Sequence, residues 1–343
     1  MNRLLFAVAL AGCWAASARA GTGVFRWGRD DGIDRGWLIS VGGGMVSELE
    51  GEVTETVRPY YELIGRESEG STYSLDDLGL NDRVPIFGIA VEKEWKYFTL
   101  SFEASYFRTD ADAVANRDYY IGIDDDIEYR GKSYDHMMIP EGDEFTASLD
   151  SGLVEIDLAF TPFTFEPAES VALVPWIYLG LIGIFGKYDL DDGPPRGTTV
   201  YEEPPVEYVI GGQTDGWGGI GLPVLGAGGD LTLGPADGVR LVLSGRYGFF
   251  SYNGSTEHFP VKTRHEKDLD IDFDTYRLSA RIEFPVSEAV DLFFGGAYLH
   301  FRTDGEVNAL DRDPDEIEEL REKFDKAFDF RMNTVTGFAG VRF

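Results

Sequence analysis

The residues of this sequence best placed to do chemistry are charged side chains set at alternate positions of otherwise apolar runs. Between Tyr97 and Arg108, Phe98, Leu100, Phe102, Ala104 and Tyr106 share one face and leave Glu103 on the other. Val154, Ile156, Leu158 and Phe160 likewise oppose Glu155 and Asp157, and Leu241, Leu243, Tyr247 and Phe249 oppose Arg240, Ser244 and Arg246. Tyr276, Leu278, Ala280, Ile282 and Phe284 oppose Arg277, Arg281 and Glu283. A period of two is that of a strand, so each run has one greasy and one ionisable side. The acids fall mostly on the first two of these runs and the bases on the last two. Brought face to face they would either pair into a closed interior or line a narrow polar passage. An orphaned charge in a low-dielectric interior is costly, which favours full pairing.

Other candidates are weaker. His136 beside Asp135, His258 beside Glu257 and His265 before Glu266 are the histidines able to act as bases near a rim, whereas His300 reads as interfacial at a strand end. A working base also needs an orienting partner within hydrogen-bond reach of the substrate. Glu48/Glu50, Asp76-Asp77, Asp124–Asp126, Asp189/Asp191/Asp192 and Glu202-Glu203 make the connecting segments strongly acidic. Such oxygens suit divalent cations such as Ca²⁺, but no segment has the spacing of an ordered calcium loop, so they read as solvated faces with no metal site assigned. The glycines around Gly211-Gly212 and Gly216–Gly221 lack the lysine and the strand-to-helix setting of a phosphate loop. No cofactor is expected.

The elements that must position these groups follow from length and patterning. The 343 residues carry 61 acids against 30 bases, a formal net charge of -31, which disfavours a nucleic-acid partner. At 43% hydrophobic and 14% aromatic, the chain is too apolar to stay disordered. Asn2-Arg3 before Leu4–Ala11, then Ala18-Arg19-Ala20, is the pattern of a secretory signal over residues 1–20, leaving 21–343 as one mature domain. A rival reading takes Leu10-Ala11-Gly12-Cys13 as a lipobox acylated at Cys13, the only cysteine. Val171–Gly186 is the longest apolar stretch after it, too short and too rich in proline and glycine for a membrane helix.

Ten strands are expected, near 37–47, 84–95, 97–108, 149–162, 174–187, 217–233, 239–253, 268–284, 289–302 and 330–343. Their connections alternate long and short in strict order. That is the plan of an all-β, transmembrane antiparallel β-barrel of about 10 strands (8–12), with long extracellular loops and short periplasmic turns. Trp37, Trp95, Tyr97, Trp176 and Phe343 fall near strand ends, where an aromatic girdle would form. Asp268, Asp270, Asp272 and Asp274 point outward if the eighth strand continues unbroken, and inward if a bulge intervenes near Thr275. Asp313-Pro314-Asp315-Glu316 reads as the start of a short amphipathic helix carrying Ile317, Leu320, Phe324 and Phe328.

The last residues carry a resemblance. Phe343, Val341, Ala339 and Val335 alternate up to a terminal aromatic, and this ending resembles the closing strand of bacterial outer-membrane β-barrel proteins. The resemblance implies an assembly signal read by the barrel-assembly machinery, periplasmic chaperones in transit, and outer-membrane lipid and lipopolysaccharide as surroundings. It implies cell outer-membrane localisation and names no subfamily. The expected function is a closed or narrow-lumen barrel with a structural or surface-interaction role; a small-solute, porin-like pore is the alternative. The omptin proteases are similar in strand count alone and make a surface hydrolase the third reading.

Overall fold

The computed structural model describes residues 24–29, 36–58, 71–80, 83–202, 205–235, 238–255, 267–287, 289–310 and 323–343. Ten long strands carry the architecture: β1 Trp37–Arg58, β2 Val84–Glu94, β3 Phe98–Val114, β4 Glu144–Phe160 and β5 Val171–Asp191. They are followed by β6 Gln213–Leu233, β7 Arg240–Ser255, β8 Lys267–Ser287, β9 Val290–Leu310 and β10 Lys323–Arg342. Each pairs antiparallel with its neighbours in sequence, and β10 pairs with β1, so the pairing runs round in a ring. At the seam, Trp37 and Phe343 exchange backbone hydrogen bonds in both directions. No long strand is left with an unpaired side, which is how a sheet avoids exposing a hydrogen-bonding edge. The fold is an all-β antiparallel barrel.

Strand number agrees with the sequence reading, but most strands run further at the long-loop end. β1 continues to Arg58 and β9 to Leu310, beyond the expected ends at 47 and 302. Alternation weakens there because both faces turn polar, while the backbone ladder continues. The amphipathic helix is corrected in part: Phe324 and Phe328 lie in β10, opposite Ala309 and Gly305 of β9. Pairing on both flanks outweighs the local helical spacing of the side chains. The helix start at 313–316, the segment 1–20 with Cys13, and His258 and His265 lie outside the described residues.

Two further features have no counterpart in the sequence reading. A short strand, Val24–Trp27, pairs with Phe163–Ala168 inside what was expected to be a plain turn. At the opposite end Tyr119–Tyr129, Lys132–Ile139, Gly197–Glu202 and Pro205–Ile210 form a separate four-stranded sheet over the mouth. Its first hairpin turns on Arg130 and Gly131, both at positive φ (52° and 78°), the two-residue turn that matches strand twist. Tyr119, Tyr134, Met137, Ile139 and Val209 bury against Phe145 and Leu190 of the barrel rim, so this acidic region has its own apolar core.

Candidate functional site

The two faces of the wall are chemically opposite. Along β5, Ile177 and Leu179 are 56% and 63% exposed, while Tyr178 and Ile182 between and beyond them are 2% exposed. Phe87, Phe102, Leu158, Leu225, Leu278 and Phe294 extend the exposed apolar face around the ring. Val335, Ala339 and Phe343 are exposed on β10, with Val341 half-buried beside them. A continuous apolar outer belt of this kind is unfavourable against water at roughly 25 cal/mol per Å² of apolar area. Trp37, Trp95, Tyr97 and Phe343 sit exposed at the short-turn end. Trp176 is a correction, because it faces inward and lines the central cavity. Its register with Tyr178 puts both rings inside, over glycines of β6: a Cβ at Gly228 would run into Trp176 and one at Gly226 into Tyr178.

The structure places Glu103, Glu155, Asp157, Arg240, Ser244, Arg246, Arg277, Arg281 and Glu283 together on the inner face. They form two groups. In the middle of the lumen Arg246 reaches from β7 to Glu155 and to Asp157 (2.6 Å) on β4, and Arg277 of β8 reaches Glu103 of β3. Nearer the short-turn end Glu283, fully buried, takes Arg281 (2.8 Å), Arg342 (3.0 Å) and Arg240 (3.2 Å). Asp291 accepts from Arg240 at 2.8 Å. Ser244 donates to Asp230 at 2.6 Å.

Five partners were missed by sequence reasoning: Arg29, Glu94, Asp230, Asp291 and Arg342. Glu94, Asp230 and Asp291 stand at alternate positions of strands and were legible by that rule. Arg342 was hidden within the terminal motif. Arg29 carries no periodic signal, since it follows a four-residue strand and a turn. Gly28 N–H donates to Pro162 C=O (3.0 Å) and Arg29 N–H to Lys96 C=O (2.6 Å). These bonds steer the Arg29 guanidinium under the β2–β3 turn, where it bridges Glu94 and Asp230. Arg29, Arg240, Arg281 and Arg342 thus meet Glu94, Asp230, Glu283 and Asp291, four charges of each sign in one layer.

Above the charges the lumen is apolar, another departure from the expected polar interior. Val46, Ile86, Leu153, Ile182, Leu222, Phe273 and Phe301 meet across it, with Leu75 from the 71–80 segment packed against them. Among the charged side chains lies a cavity of about 190 Å³ lined by Glu92, Glu103, Asp157, Trp176, Arg246 and Arg281 among others. The arrangement holds charges of both signs in place around a small cavity.

Outside the lumen, β8 keeps unbroken register with β7 and β9 from Asp268 to Glu283, without a bulge at Thr275. Asp270 and Asp272 are therefore exposed outward and Ile271 and Phe273 buried inward. Several loop and rim acids have partners: Glu50 with Arg331, Asp192 with Arg196 and Asp189 with Gln213. His136 Nδ1 lies 2.7 Å from Asp135, with its ring against Tyr208. His300 sits in mid-strand, not at a strand end, with Nδ1 2.6 Å from Asn333 Oδ1. Among the described residues no group of three or more His, Cys, Asp or Glu is set to hold a metal ion.

No protein-family model matches the sequence, and no curated protein does. Solved structures do match, all at low identity. The outer membrane protease OmpT of Escherichia coli is 10% identical, with 88% of this chain and 96% of that chain covered, at a TM-score of 0.35. A FadL homologue of Pseudomonas aeruginosa is 7% identical with 91% of each chain covered (TM-score 0.25), and the toluene transporter TodX of Pseudomonas putida 9% identical with 91% of each (TM-score 0.20). Matches this remote leave the ring of pairings and the two faces to carry the conclusion themselves: in fold, the chain is an all-β antiparallel barrel with an apolar outer face and an ionisable inner one.

Proposed function

We propose that the protein is an integral outer-membrane barrel with a sealed lumen, serving the envelope as a structural element or a scaffold for surface interaction rather than as an enzyme. One observation carries this reading: the side chains in the lumen pair or pack with one another, while the large apolar ones outside have nothing against them. Lipid satisfies the outer belt, and backbone pairing runs from strand to strand around the ring, as hydrocarbon demands. The short turns then lie in the periplasm and the four-stranded sheet outside the cell. Export relies on residues 1–20, and Phe343 with its alternating neighbours serves as the assembly signal. The acidic outer rim faces lipopolysaccharide, whose phosphates it meets through divalent cations.

A narrow pore is the second reading, favoured by the charged cavity. Membrane fractionation tests integrality. The protein should stay in the pellet after alkaline washing and migrate faster on gels when unheated; release into the supernatant would overturn the reading.

A further inference from the structure

One of the two four-residue strands of the main sheet carries the most exposed large ring among the described residues. In Val24–Trp27, Trp27 is 76% exposed and Phe25 61%, at the short-turn end of the wall. Trp27 stands opposite Phe163 and Phe25 opposite Phe165, and among the described residues no strand pairs with the other edge. A four-residue edge strand showing its aromatic side to water has little to hold it, because short isolated pairings are marginal. Yet its end is fixed firmly, since Gly28 and Arg29 are tied to Pro162 and Lys96.

What covers it is indicated by its continuity with the outer belt. The Phe25 ring lies 4.7 Å from Phe165 and 5.6 Å from Phe163, and the next pair along the wall, Phe98 and Phe160, is 5.5 Å apart. Cations are set among these rings: Lys93 over Trp37 at 5.3 Å and Lys96 over Tyr97 at 5.6 Å. Aromatic side chains beside lysine match the headgroup level of a bilayer, where an amphipathic ring and an ammonium are both satisfied.

We propose that Val24–Trp27 with Phe163–Ala168 is a membrane foot, seated in the phospholipid headgroup region of the periplasmic leaflet. The foot holds down the segment that delivers Arg29 to the lumen, so lipid contact and closure of the short-turn end are coupled. This inference rests on the membrane reading above and adds a specific lipid contact to it.

The test uses the full chain with C13S and one cysteine at a time, W27C, L179C or K132C, carrying an environment-sensitive fluorophore. Each is reconstituted into phosphatidylethanolamine–phosphatidylglycerol vesicles with lipids spin-labelled at the headgroup or along the acyl chain. The label at 179 should be quenched by the acyl-chain probe, that at 27 by the headgroup probe, and that at 132 by neither. Quenching at 179 without quenching at 27 overturns the foot and leaves the membrane reading standing. So does a 27–27 disulfide between two copies on oxidation, which would mean that a second protein covers the face. No quenching at 179 removes the membrane reading and the foot with it.

Discussion

Glu283 holds three guanidiniums in the charged layer, and none of them has water to fall back on. Removing one partner of a buried ion pair costs about 3–5 kcal/mol, because the remaining charge stays desolvated. Glu283→Gln keeps the volume and removes the charge, leaving Arg240 and Arg342 at 2.8 and 3.7 Å from Asp291 and taking from Arg281 its 2.8 Å carboxylate contact. Urea unfolding in phospholipid vesicles should show a loss of that size, and a change under 1 kcal/mol would mean that the network is solvated. Asp77, outside the barrel wall, behaves differently. Partial burial opposes its ionisation, but hydrogen bonds from Ser74 and Asn116 and the Arg117 guanidinium outweigh that and hold the carboxyl below the usual range. A group with a depressed folded pKa stabilises above its unfolded value and loses that contribution as pH falls through the folded one. The turn at 75–80 should therefore become protease-sensitive below about pH 4, an unfolded aspartate's range. Asp77→Asn should remove the pH dependence.

At the scale of the element, β5 shows how alternation decides the consequences of substitution. Leu179 faces outward at 63% exposure between Tyr178 and Gly180, both turned to the lumen. An arginine on the lipid face near mid-membrane costs about 2–4 kcal/mol. Leu179→Arg should accordingly lower vesicle-based stability by that amount, yet have little effect if the outer face met water. The same alternation made the wall legible: Phe98–Tyr106, Val154–Phe160 and Tyr276–Phe284 keep strict period two. It did not reveal Trp176 as a lumen residue, because Pro175 and the surrounding apolar run leave both faces greasy. Nor did it reveal the four-stranded outer sheet, whose Tyr119, Met137 and Val209 are separated by acids and by a long stretch of barrel, so that only tertiary pairing joins them.

At the scale of the whole molecule, the proposed reading is a lumen sealed in layers. Arg29 enters the short-turn end, paired charges surround a cavity in the middle, and apolar side chains with Leu75 packed against them lie above. The ionisable inner residues could be listed from the sequence because their strands alternate. Which acid meets which base could not, since Arg246 and Glu155 are 91 positions apart and meet only once the ring has formed. The apolar roof was hidden for a related reason: Ile271 and Phe273 lie among aspartates, and their inward direction depends on unbroken register through Thr275. Ten strands lie near the size at which side chains fill a barrel, so the sealing fits the ring's diameter. Planar-bilayer recording of the purified, lipid-reconstituted chain tests the sealed lumen most directly. The sealed barrel predicts a flat baseline across the voltage range after confirmed insertion. Reproducible single-channel steps from the unmodified protein would contradict it.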